Sequence, residues 1–244
     1  MAERGVALVT GAARRIGRAL AIAAAEAGYD VAVHHRDSAE DAEATAAAVR
    51  EKGVRAEVIA FDLADNPAAL IEQASATLGP VTLLVNNASV FLEDELATMT
   101  RELWDAHMEA NLHAPVALTQ AFAAQGVEGL VVNIVDQRVW RPNPQFFSYS
   151  VSKAGLWWAT QTMAQTLAPR IRVNAIGPGP TLPSIHQSAD DFEAEAANIL
   201  LERRVTPGEI AAALRYLIDA PLVTGQMIAV DGGQHLGWKT PDIV

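Results

Sequence analysis

Tyr149 and Lys153 are the residues of this sequence whose types and spacing most directly suggest chemistry. They stand four residues apart in SYSVSK, at the start of a segment with helical periodicity, so their side chains are expected on one face of a helix. There the lysine ammonium would favour the ionised form of the phenol. A phenol tuned in this way can donate or accept a proton near neutral pH. Because an exposed helix face can carry the same pair, the rest of the chain has to decide between the two interpretations.

Composition limits the classes of protein to consider. The 244 residues, half of them hydrophobic and 19% charged, suit one large α/β domain or two small ones. A net charge of −11 argues against nucleic acid or an anionic membrane as a partner. The absence of cysteine excludes disulfides and thiol chemistry. Without a signal-like or membrane-spanning apolar run, we expect a cytoplasmic protein that acts on a small molecule.

Strand-like and helix-like segments alternate along the whole chain. Near-continuous apolar strands joined by helices predict a parallel sheet covered on both faces. No repeat, low-complexity tract or linker marks a boundary. Residues 1–244 are therefore predicted to form a single α/β domain, a doubly wound parallel sheet of about seven strands. The pattern also predicts one long helix from about Thr100 to Gln125 and another over residues 189–204.

The turn TGAARRIG joins the first strand to the first helix. Gly11 and Gly17 would let the backbone approach a phosphate, and the helix dipole would favour its negative charge. Arg15 stands where the middle glycine of G-x-G-x-x-G would be, so a merely tight turn is the alternative. In sheets of this type, ligands bind beyond the carboxyl ends of the strands, where this turn lies.

The second strand ends in HHRDS, which bears on the choice of cofactor. Enzymes that prefer NAD usually carry a carboxylate there for the ribose hydroxyls. Arg14, Arg36 and Ser38 would instead bind a 2′-phosphate through charge-assisted hydrogen bonds. Asp37 is the one carboxylate in this stretch, and its direction cannot be read from the sequence. We predict that the cofactor is NADP(H).

The chain resembles the short-chain dehydrogenase/reductase family over essentially its whole length. The matching segments are TGAARRIG, FDL, NNAS, MEANLHAP, YSVSK and PGPT. The resemblance implies a Rossmann-type fold, an NADP-dependent oxidoreductase and a homo-oligomer, most often a tetramer.

Residue roles follow from the same resemblance. Asp62 would contact the adenine, Asn86 lie along the cofactor, Asn111 hold a proton-relay water, Lys153 bind the nicotinamide ribose, Thr181 bind the carboxamide and Tyr149 protonate the substrate. The implied catalytic residues are Asp136, Tyr149, Lys153 and Asn111. The implied cofactor contacts are Gly11, Arg14, Arg15, Ile16, Gly17, His35, Arg36, Ser38, Asp62, Leu63, Asn87, Ala88, Tyr149, Lys153, Pro178, Gly179 and Thr181.

Asp136 is a departure from the family pattern. Thirteen residues before its tyrosine the family normally has a serine that hydrogen-bonds a substrate carbonyl, and here this position is Asp136. A carboxylate repels a developing oxyanion but suits a substrate that offers N–H donors. In this, in Arg15 and in Ser89 with Phe91, the chain is similar to the pteridine reductases. That resemblance makes Arg15, Ser89, Phe91, Asp136 and Tyr149 the predicted substrate contacts, with Phe91 stacked on a pterin.

Other interpretations stay open for several of these side chains. Phe91 could be a core residue, Asp136 could be a surface acid or pair with Arg138, and Arg15 could serve only the pyrophosphate. Trp140, Trp157 and Trp158 fit a core or a subunit interface better than a ligand site. The spacing of His107, His113 and His235 suggests no metal site.

Three functions are compatible with the sequence. The first is NADPH-dependent reduction of a pterin or a similar flat nitrogen heterocycle. The second is reduction of a ketone or 3-oxoacyl thioester, and the third is non-catalytic NADP binding. A homo-oligomer is also expected from the apolar bulk of the Tyr149 helix, which carries Leu156, Trp157, Trp158, Met163 and Leu167. The tail at residues 233–244 could then reach a neighbouring copy.

Overall fold

Each of the seven apolar runs forms a strand: β1 Val6–Val9, β2 Asp30–His35, β3 Ala56–Ala60, β4 Val81–Asn86, β5 Gly129–Ile134, β6 Ile171–Pro178 and β7 Met227–Val230. The computed structural model describes residues 4–181 and 197–237, and in it these strands form one parallel sheet in the order β3-β2-β1-β4-β5-β6-β7. Strand order reverses between β1 and β4, so the carboxyl ends of these two strands flank the crevice in which such sheets bind ligands. The predicted doubly wound sheet is confirmed.

Helices cover both faces of the sheet. They are α1 Arg15–Glu26, α2 Ala39–Arg50, α3 Pro67–Leu78, α4 Arg101–Met108, α5 Ala114–Ala124, α6 Phe147–Leu167 and α7 Pro207–Asp219. On one face α1, α2 and α7 bury side chains such as Leu20 and Leu214. On the other face α3, α5 and α6 bury a second cluster that includes Leu70 and Phe122. Each fully buried side chain of this size contributes about 1.5–3 kcal/mol.

The long helix predicted from about Thr100 to Gln125 is interrupted, so the prediction of one continuous helix was wrong. Between α4 and α5, residues Glu109–His113 form a π-helical turn in which the Ala114 N–H bonds to the Glu109 carbonyl five residues earlier. The reason lies in Pro115, which has no N–H to donate to the carbonyl of Asn111 four residues before it. Asn111 therefore sits in the irregular turn, at the edge of the crevice.

Helix α6 presents Tyr149 and Lys153 from its first two turns, and both side chains are buried. Much of its predicted apolar excess is used inside the protein. Leu156 is buried, and Met163 and Leu167 pack against the core. Of the helix predicted over residues 189–204, residues 189–196 lie outside the described residues, as does the tail beyond residue 237. Over residues 198–204 the helix prediction was wrong, because the chain there forms turns and bends, with Glu202 at a φ of 51°.

None of the helices described here combines the length and the apolar character that crossing a bilayer requires. In the same parts of the chain, no group of three or more His, Asp or Glu side chains is arranged to hold a metal ion.

Candidate active site

A cleft formed by two connected cavities, of about 600 and 820 Å³, runs along the carboxyl ends of the strands. Of the predicted site residues, those lining the first cavity are Gly11, Arg14, Arg15, Ile16, Gly17, His35, Arg36, Ser38, Asp62, Leu63, Asn87, Ala88 and Ser89. Those lining the second are Arg15, Ile16, Asn87, Ser89, Phe91, Asp136, Tyr149, Lys153, Pro178, Gly179 and Thr181. The predicted residues that line the cleft therefore come from the ends of six strands. Asn86 and Asn111 line neither cavity.

The glycine turn is held close to β4. Asn87 donates from Nδ2 to the carbonyls of Thr10, at 2.9 Å, and Gly11, at 3.1 Å. Gly17 has no room for a Cβ, which would overlap the Gly11 carbonyl oxygen and lie 2.7 Å from Asn87 Nδ2. Arg15 has a φ of 54°, in the left-handed region that favours glycine, which explains why its position usually carries one. The close-packed turn at the start of α1 suits a pyrophosphate.

His34 lies in the segment at the end of the second strand, but no role was predicted for it from the sequence. Its buried ring accepts at Nδ1 from the Gly11 N–H, at 3.1 Å, so Nε2 carries the ring proton and donates to the Phe61 carbonyl, at 3.0 Å. Burial lowers the pKa of His34 to about 4, which keeps the ring neutral. The side chain thus ties the ends of β1, β2 and β3 together beneath the first cavity. Two adjacent histidines at the carboxyl end of the strand DVAVHH were the available signal.

At the far end of the first cavity two arginines each face an aspartate. Arg36 Nε contacts Asp37 at 2.6 Å, and Arg14 Nη1 lies 3.7 Å from Asp41. All four side chains are more than half exposed, so these pairs contribute little stability and can open for a stronger anion. The direction of the Asp37 side chain, which the sequence left open, is toward Arg36. With the pairs open, both guanidinium groups are available to an anion, and a 2′-phosphate is one such group.

Tyr149 and Asp136 form the centre of the second cavity. The phenol donates to Asp136 Oδ2 at 2.9 Å, and the Arg138 backbone N–H donates to Oδ1 at 2.9 Å. Burial raises the pKa of Asp136, with the nearby Arg138 charge opposing it. Burial and then the Asp136 charge raise the pKa of Tyr149 well above its ordinary value. The phenol of Tyr149 therefore carries its proton at neutral pH.

The expectation that Lys153 favours the ionised phenol is wrong for this structure. Lys153 Nζ donates to the Ile134 carbonyl at 2.9 Å and stands 5.8 Å from the centre of the Tyr149 ring. Burial lowers the pKa of Lys153 to about 8, against the charge of Asp136. The group hydrogen-bonded to the phenol is the Asp136 carboxylate. Its negative charge raises the pKa of the phenol, whereas a cation would lower it.

Aromatic rings form one wall of the second cavity. Phe91 stacks on Phe146 with 4.3 Å between ring centroids and meets Tyr149 edge-on at 4.7 Å. The Arg138 guanidinium lies 5.1 Å from the Phe146 centroid and 5.8 Å from that of Phe91. Within residues 4–181 and 197–237, its Nη1 is buried without a hydrogen-bond partner, although the Arg138 backbone N–H bonds to Asp136. Phe146 and Arg138, which the sequence analysis did not place in the site, therefore complete this wall.

Asn111 supports the site from behind. Its Oδ1 accepts from the Val90 N–H at 2.8 Å and the Ser89 hydroxyl at 3.0 Å, while Nδ2 donates to the Val90 carbonyl and the Ser152 hydroxyl. With the amide occupied on all sides, a relay water would have to use the Asn111 carbonyl, which Pro115 deprives of its α-helical donor.

The resemblance placed Asn86 along the cofactor, but in the structure this residue does not line the cleft. It is buried inside the sheet, where Nδ2 donates to Asn133 Oδ1 at 2.8 Å. Alternation of side chains along β4 turns it away from the cavity and leaves its neighbours Asn87 and Ala88 to line it.

Comparison with known proteins identifies the family to which the chain belongs. Residues 5–194 match the model of the short chain dehydrogenase family. The 3-oxoacyl-[acyl-carrier-protein] reductase FabG of Staphylococcus epidermidis is 33% identical over 240 residues, which cover 94% of this chain and 98% of the relative.

Two solved structures extend the comparison. FolM Alternative dihydrofolate reductase 1 from Brucella suis, in complex with NADP, is 48% identical, with a TM-score of 0.96 over the full length of both chains. A blue fluorescent protein from a metagenomic library, in complex with NADPH, is 33% identical, with a TM-score of 0.88 over 95% of this chain and 98% of the other.

Proposed function

The chain belongs to the short chain dehydrogenase family and is an NADP-dependent oxidoreductase, and we propose that it reduces a dihydropterin or a similar flat nitrogen heterocycle. The observation that carries this proposal is the Asp136 carboxylate, hydrogen-bonded at 2.9 Å to the phenol of Tyr149. A substrate placed against this pair meets both an acceptor for N–H groups and a donor for a ring nitrogen.

Each side chain of the site has a role in this reaction. When bound, NADPH supplies the hydride. Tyr149 donates the proton, and its raised pKa means that the proton is present at neutral pH. Asp136 accepts from an N–H of the substrate while it keeps the phenol oriented. Lys153 would hold the ribose of the cofactor, and the backbone carbonyl of Asn111 would hold a water that returns the proton to the phenol.

The remaining contacts position a flat ring. Phe91 supplies an aromatic surface in the second cavity, and Arg15 and Ser89 stand where the two cavities meet. Stacking on such a surface, combined with a few polar groups, is the usual way in which a concave site fixes a heterocycle. The likeness to a structure named as an alternative dihydrofolate reductase supports the same class of substrate.

A 3-oxoacyl thioester is the second candidate substrate, and the likeness to FabG favours it. Against it stands the same carboxylate, because Asp136 would lie beside the oxyanion that develops on a reduced carbonyl. A non-catalytic role is disfavoured because Tyr149 and Lys153 line the second cavity and Asn111 bonds to Ser89 at its edge.

Replacement of Asp136 by serine tests the proposal. Asp136→Ser should lower kcat/KM for a dihydropterin by about tenfold or more, because the acceptor for the substrate N–H is lost. The affinity for NADPH should stay within about twofold, since the side chain faces the substrate. Steady-state rates with one dihydropterin, dihydrofolate and one 3-oxoacyl thioester give the comparison.

Glu93→Ser is the matched control, because Glu93 lines the same cavity without a hydrogen bond to Tyr149. It should retain the rates of the parent protein. Reduction of the thioester by the parent, with no activity on dihydropterins or dihydrofolate, would refute the proposed substrate.

A further inference from the structure

Behind the aromatic wall lies a buried cluster of Asp94, His107 and Ser148, which we call the Asp94 cluster. These three side chains are 1% exposed or less and come from the loop before α4, from α4 itself and from the first turn of α6. Asp94 Oδ1 accepts from the Ser148 backbone N–H at 3.1 Å, and Asp94 Oδ2 accepts from the Ser148 hydroxyl. The same hydroxyl lies 2.7 Å from His107 Nδ1.

The direction of every hydrogen bond in this cluster follows from one backbone group. The Leu92 N–H can only donate, and it points to His107 Nε2 at 3.0 Å, so Nε2 must be unprotonated. A neutral ring then carries its proton on Nδ1 and donates it to the Ser148 hydroxyl, which passes its own hydrogen to Asp94. Burial lowers the pKa of His107, which agrees with a neutral ring. The chain of bonds therefore runs from Leu92 to His107 to Ser148 to Asp94.

The cluster joins two segments that face the substrate. Leu92 follows Phe91, and Ser148 precedes Tyr149. Asp94 also accepts the Phe147 N–H with its backbone carbonyl, at 3.1 Å, which fixes the loop to the start of α6. Phe91 and Tyr149 in turn meet edge-on at 4.7 Å. The position of the aromatic ring relative to the phenol thus depends on bonds buried behind both of them.

We propose that Asp94, His107 and Ser148 are positioning residues that set how Phe91 lies against Tyr149, and so how the substrate ring meets its proton donor. This inference rests on the proposed function, in which Phe91 and Tyr149 both contact the substrate. None of the three side chains lines either cavity, so they act only through their neighbours.

Asp94→Asn is the sharpest test, because it keeps the size of the side chain and removes one acceptor. If the amide oxygen keeps the Ser148 N–H, the amide nitrogen must donate to the hydroxyl. The hydroxyl then donates to His107 Nδ1, the ring proton moves to Nε2, and two donors face each other at Leu92. The opposite amide orientation places a donor against the Ser148 N–H instead. Either arrangement breaks one bond of the cluster.

Glu95→Gln is the matched control, because it makes the same change on the neighbouring, exposed residue. We expect Asp94→Asn to raise KM for the substrate by about tenfold, with a smaller change in kcat, while NADPH affinity stays within about twofold. Glu95→Gln should match the parent in all three quantities. Equal kinetics for the two variants, or a loss of NADPH affinity as large as the loss for the substrate, would overturn the inference.

A measurement on the parent protein decides the case in which Asp94→Asn does not fold. The ¹⁵N resonances of His107 should show an unprotonated Nε2 and a protonated Nδ1, and the Leu92 amide should exchange slowly with solvent. The other tautomer, or rapid exchange at Leu92, would contradict the inference. The proposed function has its own test and fails if the parent reduces only the 3-oxoacyl thioester. In that case KM for the thioester is the quantity compared between Asp94→Asn and Glu95→Gln.

Discussion

Tyr149 keeps its proton because burial and the Asp136 charge both disfavour the phenolate. Where a serine stands in place of the aspartate, the phenol has a neutral neighbour and loses the second of these effects. The carboxylate therefore does more than select N–H donors, since it also makes the tyrosine a weaker acid in the unliganded enzyme. The Arg138 charge opposes this effect on both residues. Proton transfer from Tyr149 then depends on how the bound substrate changes the surroundings of Asp136.

Lys153 gives a prediction for the dependence on pH. Burial lowers its pKa to about 8 from an ordinary value of 10.5. At a pH between these two pKa values, Lys153 binds more protons in the unfolded chain than in the folded protein. Lys153 therefore makes the free energy of unfolding rise with pH in this window, by at most about 1.4 kcal/mol per pH unit. Over the same range kcat/KM should fall as pH passes the folded pKa, because the ammonium that would hold the ribose in the proposed site is lost.

Denaturant unfolding of the parent and Lys153→Met at several pH values measures the first effect. The rise should be absent from the variant and present in Lys52→Met, which changes a partly exposed lysine that pairs with Glu26. Identical pH profiles for the parent and Lys153→Met would show that Lys153 titrates normally.

At the scale of elements, the turn into α1 is the most sharply constrained part of the cleft. Helix propensity alone favours alanine over glycine inside a helix by about 1 kcal/mol. At Gly17 the added Cβ would overlap the Gly11 carbonyl, so α1 would have to move away from β1 and Asn87. Gly17→Ala should therefore weaken NADPH binding by about tenfold or more and lower Tm. Fluorescence titration and thermal unfolding measure the two effects.

Gly208→Ala is the control for this prediction. Gly208 lies in the first turn of α7, where the one neighbour of an added Cβ among the described residues is Thr206 Oγ1, at 3.8 Å. This variant should bind NADPH as the parent does and be at least as stable. If Gly17→Ala behaved in the same way, close packing at the turn would not be what the glycine provides.

Elements were predictable where one local rule decides them. Apolar strands and the glycine turn follow from patterns within a few residues, which is why seven strands and their helices could be placed. The π-helical turn at Asn111 could not, because helical periodicity does not register one extra residue, although Pro115 marks the place. The Asp94 cluster and the bond of Lys153 to Ile134 were also invisible. They join residues that are 19 to 54 positions apart, and only the packed fold shows which of them meet.

At the scale of the whole molecule, the surface of α6 favours association of identical copies. Trp158 is 70% exposed, and it lies on the helix that carries Tyr149. An indole this exposed gains free energy if a second copy covers it, and a symmetric helix pair is the simplest such arrangement. The net charge of −11 opposes association, so added salt should strengthen it by screening. We predict a homo-oligomer, with a tetramer as the expected state.

Trp158→Glu tests this prediction by placing a charge in the expected contact. Light scattering should show the parent as a multiple of the monomer mass at micromolar concentration, and Trp158→Glu as a smaller species. Leu222→Glu is the control, because Leu222 is 97% exposed in the loop between α7 and β7. It adds the same charge away from α6 and should leave the mass unchanged. A monomeric parent would reject the oligomer. If Trp158→Glu still assembled, the interface would lie on another surface. At an interface formed by α6 the variant would bury two carboxylates that face each other, and this costs more free energy than the loss of the indole contact.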